Sequence, residues 1–213
     1  SGTASHSVDM NANWIANDSL AVAYISGSAI NFTGDIASGT TFQNTNADGM
    51  GFYAPSMTGD FILTNNGTMT TTDRLVYIPS SSVDDITIIN AAGASMTNTN
   101  NSTELLYFPF SGSHNVTVTN AGTMTAKDKI LYVPSSGTDL IVNNTGTMTL
   151  TATDDWIMYL IPSTYNVTNS GTMQITGGTG HGIQTATGTG TITNTGTIKS
   201  LGSGKYDIYG LSG

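Results

Sequence analysis

The chain has 213 residues, of which 38% are hydrophobic and only 9% are charged, and its formal net charge at pH 7 is −9. Because only five residues are Lys or Arg, the composition argues against binding to nucleic acid or to an anionic membrane surface. The absence of Cys excludes disulfides and Cys-ligated metals. The lack of an apolar run of about 18 residues argues against insertion into a membrane as a helix. A surface this poor in charge must be made of Thr, Ser, Asn and Gly, which favours strands and turns over helices.

The first segment in chain order, residues 1–19, precedes any recognisable repeat. Trp14 and Ile15 are its only pair of large apolar neighbours. Because the open end of a repeat structure exposes core and strand edges, we expect this segment to cap the first coil or to fray. Residues 20–213 are predicted to form a single repeat domain.

The first repeated element is a short apolar run centred on Tyr and followed by Pro. All five prolines of the chain lie in it. Because Pro cannot donate to a sheet ladder, we expect it to close a strand at this point. The copies are Phe52-Tyr53-Ala54-Pro55, Val76-Tyr77-Ile78-Pro79, Leu106-Tyr107-Phe108-Pro109, Leu131-Tyr132-Val133-Pro134 and Met158-Tyr159-Leu160-Ile161-Pro162.

Two more elements follow in each copy. The second is a β-branched run, as in Ile86-Thr87-Ile88 or Val116-Thr117-Val118. The third reads Asn-x-Gly-Thr-Met and is the most regular motif of the chain. It begins at Asn65, Asn120, Asn144 and Asn169, with a stretched copy from Asn90 to Met96 and a last copy, ending in Ile198, that begins at Asn194.

Three short strands separated by turn residues therefore recur about every 25 residues, which leaves no room for helices or propeller blades. The prediction is an all-β fold, a right-handed parallel β-helix of about eight coils with three short strands in each coil. Equal strands of successive coils would stack in parallel at roughly 4.8 Å.

Stacking converts each position of the repeat into a column. We expect the Met column to face the core, the Asn column to form a ladder of side-chain amides at a corner, and the following Gly to supply a positive φ. The threonines beside each Met then face outward and form a Thr-rich face. Its members are Thr68, Thr70, Thr123, Thr125, Thr147 and Thr149.

Tyrosines of the first element form another column, which we expect on the outside because the preceding residues Val76, Leu106, Leu131 and Met158 are assigned to the core. Exposed tyrosines suit a contact face, although stacking on one another and on the turn prolines is the more ordinary explanation. The stripe comprises Tyr53, Tyr77, Tyr107, Tyr132 and Tyr159. A second external apolar stripe is expected beside it, at Leu75, Leu105, Ile130 and Ile157.

Charged residues concentrate in the turn before the Tyr strand. Acids stacked in four successive coils could bind Ca²⁺ or act as an acid–base pair, but the cations between them favour ordinary ion pairs. The residues are Asp73, Arg74, Glu104, Lys127, Asp128, Lys129, Asp154 and Asp155. His6, His114 and His181 show no metal-ligand spacing, so no metal, cofactor or catalytic residue is expected.

The pairing of Asn194-Thr195-Gly196-Thr197-Ile198 with the later Tyr206-Asp207-Ile208-Tyr209-Gly210 resembles the passenger domains of type V autotransporter adhesins, fusobacterial ones among them. Met in place of Ile and the scarcity of Lys depart from that pattern. The resemblance covers residues 20–213. It implies a secreted virulence-associated protein of the bacterial outer surface, with no catalytic residues to carry over.

The function expected first is therefore a non-catalytic adhesin or stalk. Its partner would be a host or neighbouring-cell surface protein or glycan, or a second copy bound through the Tyr stripe or the coil ends. Three alternatives stay open: a self-assembling extracellular fibre subunit, an ice-binding solenoid that uses Thr-x-Thr columns, and a polysaccharide-active β-helix enzyme. The last rests on fold analogy alone.

Overall fold

The computed structural model describes residues 4–27, 30–151 and 155–210. These residues form 24 strands and no helix. The strands belong to three eight-stranded sheets, here called A, B and C, and every strand pair within a sheet is parallel and joins successive turns of the chain. The fold is a β-solenoid of eight coils, each coil giving one strand to A, then B, then C.

Sheet A contains the β-branched runs. Its strands are β1 (Ala4–Met10), β4 (Ile30–Ile36), β7 (Phe61–Asn65), β10 (Asp85–Asn90), β13 (His114–Asn120), β16 (Thr138–Asn144), β19 (Thr164–Asn169) and β22 (Thr189–Asn194).

Sheet B contains the Gly-Thr-Met motif. Its strands are β2 (Trp14–Ala16), β5 (Thr41–Asn44), β8 (Thr68–Thr71), β11 (Ser95–Asn98), β14 (Thr123–Ala126), β17 (Thr147–Leu150), β20 (Thr172–Ile175) and β23 (Thr197–Lys199).

Sheet C contains the Tyr strands, and the five strands that are followed by a Pro end one or two residues before it, as predicted. Its strands are β3 (Ala21–Tyr24), β6 (Met50–Tyr53), β9 (Val76–Tyr77), β12 (Leu106–Tyr107), β15 (Leu131–Val133), β18 (Asp155–Leu160), β21 (Gly180–Thr185) and β24 (Ile208–Gly210).

The core lies between the three sheets. The Met column faces it as predicted: Met69, Met96, Met124, Met148 and Met173 are all fully buried. The column continues at one end through buried Phe42 to exposed Trp14, and at the other end to half-buried Ile198. One apolar position in an otherwise polar motif thus supplies one wall of the core. Burial of these Met side chains removes apolar area from water and stabilises the fold.

The Asn ladder is also present. Nδ2 of each Asn donates to Oδ1 of the Asn one coil later, at 2.7–2.8 Å, and the steps along the chain are 25, 30, 24, 25 and 25 residues. The ladder runs through Asn65, Asn90, Asn120, Asn144, Asn169 and Asn194. The first five amides are buried and also donate to a backbone carbonyl of sheet B or its preceding turn, for example Asn120 to Thr147 at 3.1 Å. Buried amides are tolerated here because they are paired.

The prediction of a positive φ for the Gly of this motif holds at Gly93 of the stretched copy, where φ is +82°, and is wrong for the other copies. Gly67, Gly122, Gly146, Gly171 and Gly196 are not among the residues with positive φ. What requires Gly is close stacking of backbones: a Cβ on Gly146 would lie 2.1 Å from the carbonyl oxygen of Gly122. This column of glycines has no room for side chains, because the backbone of each coil lies in direct contact with the backbone of the previous coil.

The prediction of a second external stripe is also wrong, because Leu75, Leu105, Ile130 and Ile157 are fully buried. Strict alternation fails at the start of the Tyr strand. Leu75 N and Val76 N both donate to the carbonyl oxygen of Leu105, at 3.0 and 3.1 Å. Two successive amides that point the same way are typical of a bulge, and two consecutive side chains then enter the core.

Residues 4–16 supply β1 and β2, which pair in parallel with β4 and β5. Strands of the solenoid therefore lie upstream of residue 20, inside the segment that was expected to precede the repeat domain. Most of β1 is exposed because this coil has a neighbour on one side only, so its sequence lacks the apolar alternation that reveals the later coils. Trp14 and Ile15 are 39% and 63% exposed, and their role as a cap stays a prediction.

Candidate functional site

The tyrosine ladder, defined as Tyr53, Tyr77, Tyr107, Tyr132 and Tyr159, runs along the outside of sheet C. Every ring is half-buried. Register pairing places each Tyr beside its equivalent in the next coil. The sequence therefore identified a continuous surface column, in which the neighbours Val76, Leu106, Leu131 and Met158 anchor the strands to the core.

Ring geometry shows which part of each tyrosine is available. Centroids of Tyr53, Tyr77, Tyr107 and Tyr132 follow one another at 5.3, 5.4 and 5.1 Å, with interplanar angles of 8°, 4° and 10°. These ring faces therefore cover one another, while ring edges and hydroxyl groups face solvent. The last pair turns edge-on, since Tyr132 and Tyr159 are 81° apart.

Burial raises the pKa of Tyr77, Tyr107 and Tyr132. Their hydroxyl groups therefore stay protonated at neutral pH and can both donate and accept hydrogen bonds. The ladder is a row of neutral phenols, which suits polar and uncharged partners better than ions.

A charged border flanks the ladder on the side of the preceding turn. The Arg74 guanidinium carbon lies 5.0 Å from the ring centroid of Tyr77 and 4.9 Å from that of Tyr107, and Arg74 Nε donates to Glu104 Oε2 at 2.9 Å. Lys129 Nζ lies 5.7 Å from the Tyr132 centroid. Cation–π contacts and ion pairs together hold these cations against the ladder.

The second ion-pair group confirms that the turn acids pair with neighbouring cations. Lys129 Nζ lies 2.8 Å from Asp128 Oδ1 and 2.9 Å from Asp155 Oδ1. Burial, followed by hydrogen bonding to Asp128, raises the pKa of Asp155 to about 6 despite the ammonium group. For Asp128, burial is outweighed by its hydrogen bonds to Asp155 and Lys129, and its pKa is lowered. Asp154 lies outside the described residues.

The Thr-rich face lies on the outside of sheet B. Pairing across the sheet brings Thr68, Thr123 and Thr147 into one column and Thr70, Thr125 and Thr149 into a second. The structure adds members that the sequence reasoning missed. Ser95 and Thr97 fill the rung between Thr68–Thr70 and Thr123–Thr125, and Thr41, Thr172 and Thr197 extend the first column.

An aromatic cluster near the last coils was also missed. Trp156 stacks on His181 at 4.0 Å and 16°, and Tyr206 and Tyr209 complete the group. Its only sequence signal is the pair of tyrosines that flanks Asp207 and Ile208. His114 lies elsewhere and packs edge-on against Phe110 at 4.6 Å.

Two open grooves lie on the surface of the described residues. A groove of about 340 Å³ crosses the outer side of sheet A and is lined by polar side chains such as Asn115 and Asp139 together with apolar Ile141 and the ring of Tyr165. Another of about 250 Å³ lies beside His6, Tyr24 and Phe32 in the first coils. Within the described residues, no three His, Asp or Glu side chains are grouped as metal ligands. None of the described segments is a helix long and apolar enough to span a membrane.

Comparison with known proteins identified no relative of this chain, so the tyrosine ladder and the Thr-rich face are interpreted from their geometry. A scan against protein-family models found no matching family, and searches of the curated proteins and of the solved structures found no match either.

Proposed function

We propose that this chain is a non-catalytic extracellular surface module, an adhesin or stalk of an autotransporter-like protein. The observation that carries the proposal is the tyrosine ladder, which exposes one aromatic side chain per coil over five consecutive coils. Tyrosine contributes a large contact area and a polar tip at low entropic cost, and it is enriched at binding hot spots.

The ladder supports a contact function through its own geometry. A second apolar stripe gives it no support, because Leu75 and its equivalents belong to the core. What supports the proposal is a row of neutral hydroxyl groups and ring edges repeated about every 5 Å along the rod. A partner that meets several rungs gains affinity from each one without a deep pocket.

Polar, repetitive partners fit this row best. A surface glycan or the polar face of a host or neighbouring-cell protein offers hydroxyl and amide groups to the phenols. Arg74 and Lys129 beside them are each paired with two carboxylates, which leaves this border with a small negative charge. Self-association of two ladders is the other outcome to be measured. An extracellular location on a bacterial surface follows from the resemblance to passenger domains and agrees with the absence of Cys.

The test is a double substitution, Tyr107→Ser with Tyr132→Ser, in the middle of the ladder. Beads coated with the wild-type chain should adhere to cultured epithelial cells or to bacterial cells more than albumin-coated beads do. The double variant should lose roughly tenfold or more in binding, as expected when anchor residues at the centre of an interface are truncated. Sedimentation of both proteins reports self-association.

A matched control is Tyr206→Ser, which removes an exposed tyrosine (49% exposed) away from the ladder. It should adhere like the wild type. The double variant should still fold, because buried Leu106 and Leu131 are untouched. Equal adhesion and equal oligomeric state of wild type and double variant would show that the ladder is only a stacked column and would remove the basis for the proposal.

A further inference from the structure

The outer side of sheet B carries a regular array of hydroxyl groups that the tyrosine ladder does not explain. On β8, β11, β14 and β17, both outward positions of each strand are Thr, or Ser in one case, while the position between them is a fully buried Met. The array consists of Thr68, Thr70, Ser95, Thr97, Thr123, Thr125, Thr147 and Thr149. We refer to it as the hydroxyl array.

The array repeats in two directions. Strand spacing places equivalent hydroxyl groups about 4.8 Å apart along the rod, and two residues of strand separate the two columns by about 6.6 Å. Thr41, Thr172 and Thr197 continue one column, which extends it to seven coils. Gln43 and Gln174 border the other column.

The hydroxyl groups are available to solvent. Among the described residues, their only side-chain hydrogen bond is the one that Thr149 accepts from Gln174 Nε2 at 3.4 Å. No charged side chain occupies an outward position on these four strands. Each Thr also carries a γ-methyl group. A methyl group cannot hydrogen-bond to water, so nearby water molecules bond to one another and to the neighbouring hydroxyl groups.

The array is held rigidly. The Met column behind it is fully buried, and the buried Asn ladder beside it fixes the spacing of successive coils through amide bonds of 2.7–2.8 Å. A preorganised surface loses little entropy on binding. Only a partner that itself repeats in two dimensions can meet all of these groups at once.

We propose that the hydroxyl array binds the surface of ice. Ice is a neutral, two-dimensionally repeating partner whose water molecules donate and accept hydrogen bonds as Thr hydroxyl groups do. A crystalline polysaccharide also repeats and presents hydroxyl groups, and its binding is an outcome that the test below separates from ice binding. Ice binding would use sheet B, whereas the tyrosine ladder lies on sheet C. A negative result for one of the two proposals therefore leaves the other untouched.

The test compares the wild type with a variant that carries Thr97→Tyr and Thr125→Tyr, two neighbouring rungs in the centre of the array. The matched control carries Thr87→Tyr and Thr117→Tyr, which are neighbouring, half-exposed outward positions of sheet A. The measurements are the gap between melting and freezing points of a crystal held in the protein solution and the partition of protein into a growing ice front. Thermal unfolding verifies that all three proteins are folded.

The wild type and the sheet A control should both bind ice, and the array variant should show roughly tenfold lower activity, as for loss of central contacts in an interface. Wild-type protein that is excluded from ice and leaves freezing unchanged would overturn the proposal. Equal activity of the folded array variant, or binding to crystalline cellulose without binding to ice, would overturn it as well.

Discussion

At the scale of single residues, the Asn ladder is the feature on which stability depends most directly. Asn120 accepts from Asn90, donates to Asn144 and donates to the carbonyl oxygen of Thr147. Replacing it with Ala leaves buried groups without partners in three places. Each such group costs on the order of 1–3 kcal/mol.

We therefore expect Asn120→Ala to lower the free energy of unfolding by about 3 kcal/mol or more, measured by chemical denaturation. Asn143→Ala is the control, because Asn143 is half-exposed on the outer side of the neighbouring strand, and it should change stability by less than about 0.5 kcal/mol. Similar losses in both variants would mean that the ladder does not stabilise the fold.

Asp155 makes stability depend on pH. Its pKa of about 6 lies above the ordinary value of 3.8 for Asp. Between these two pH values, the folded chain therefore keeps a proton on Asp155 that the unfolded chain has released. Stability should then fall as the pH rises from about 4 to about 6, and the penalty should be fully present above that range.

Asp155→Asn should remove this dependence. Between about pH 4 and pH 7, the wild type should lose about 1–2 kcal/mol relative to the variant, after allowance for the partly exposed side chain. Thermal and chemical unfolding across this range provide the measurement. Asp48→Asn removes a charge from an exposed turn and should track the wild type. A wild-type-to-variant difference that stays constant with pH would contradict the assignment.

At the scale of the element, the turn between sheets A and B depends on backbone contact. Gly146→Ala places a Cβ 2.1 Å from the carbonyl oxygen of Gly122 and 2.6 Å from the carbonyl carbon of Ala121. Backbone must move to relieve such a contact, and we expect a loss of more than about 2 kcal/mol in stability.

Gly93→Ala is the comparison for that variant. Gly93 has a φ of +82°, but the space that a Cβ would occupy there is open, so the substitution should cost only about 1 kcal/mol through its backbone conformation. Unfolding curves of the two variants should therefore distinguish the stability lost through a steric contact from the stability lost through an unfavourable backbone conformation. A larger loss for Gly93→Ala would contradict the close-stacking explanation.

How far the sequence predicts these elements depends on how often each position repeats. The buried Met69 column and the Asn65 ladder were predictable because five or more copies show the same residue at the same place. Leu75 was placed wrongly because alternation was assumed through a bulge, which only backbone hydrogen bonding reveals. Ser95 and Thr97 were missed because two extra residues separate Asn90 from its strand, compared with the three-residue step from Asn65 to Thr68.

The candidate surfaces were likewise predictable only where a position repeats in several coils. The sequence supplied the tyrosines and most threonines, since an outward position is implied by a buried neighbour. Ring stacking, the contact of Arg74 with two rings and the pairing of Lys129 with two carboxylates depend on side-chain conformations across coils. Those have no counterpart in a linear motif.

At the scale of the whole molecule, the first coil should protect the solenoid. β1 and β2 cover the edges of β4 and β5, and behind those edges lie buried Phe32 and Phe42. Deleting residues 1–19 would expose both the unpaired backbone groups and these side chains, which favours edge-to-edge aggregation.

We expect the deletion to lower the melting temperature and the solubility of the chain. Thermal unfolding followed by circular dichroism, together with light scattering at increasing concentration, measures both. As a control, Ile15→Ser removes an exposed apolar side chain (63% exposed) while keeping both strands and should be close to the wild type. Unchanged melting and solubility after the deletion would rule out a capping role for this segment.

The ladder of buried amides also gives the rod an electrical direction. From Asn65 to Asn194 every side-chain bond has the same sense, with the N–H group of the earlier coil pointing to the oxygen of the later one. Aligned amide dipoles add, as they do along a helix axis, and here they place partial positive charge at the Asn194 end and partial negative charge at the Asn65 end. Two rods that approach end to end are thereby favoured in a parallel, head-to-tail order over a head-to-head one.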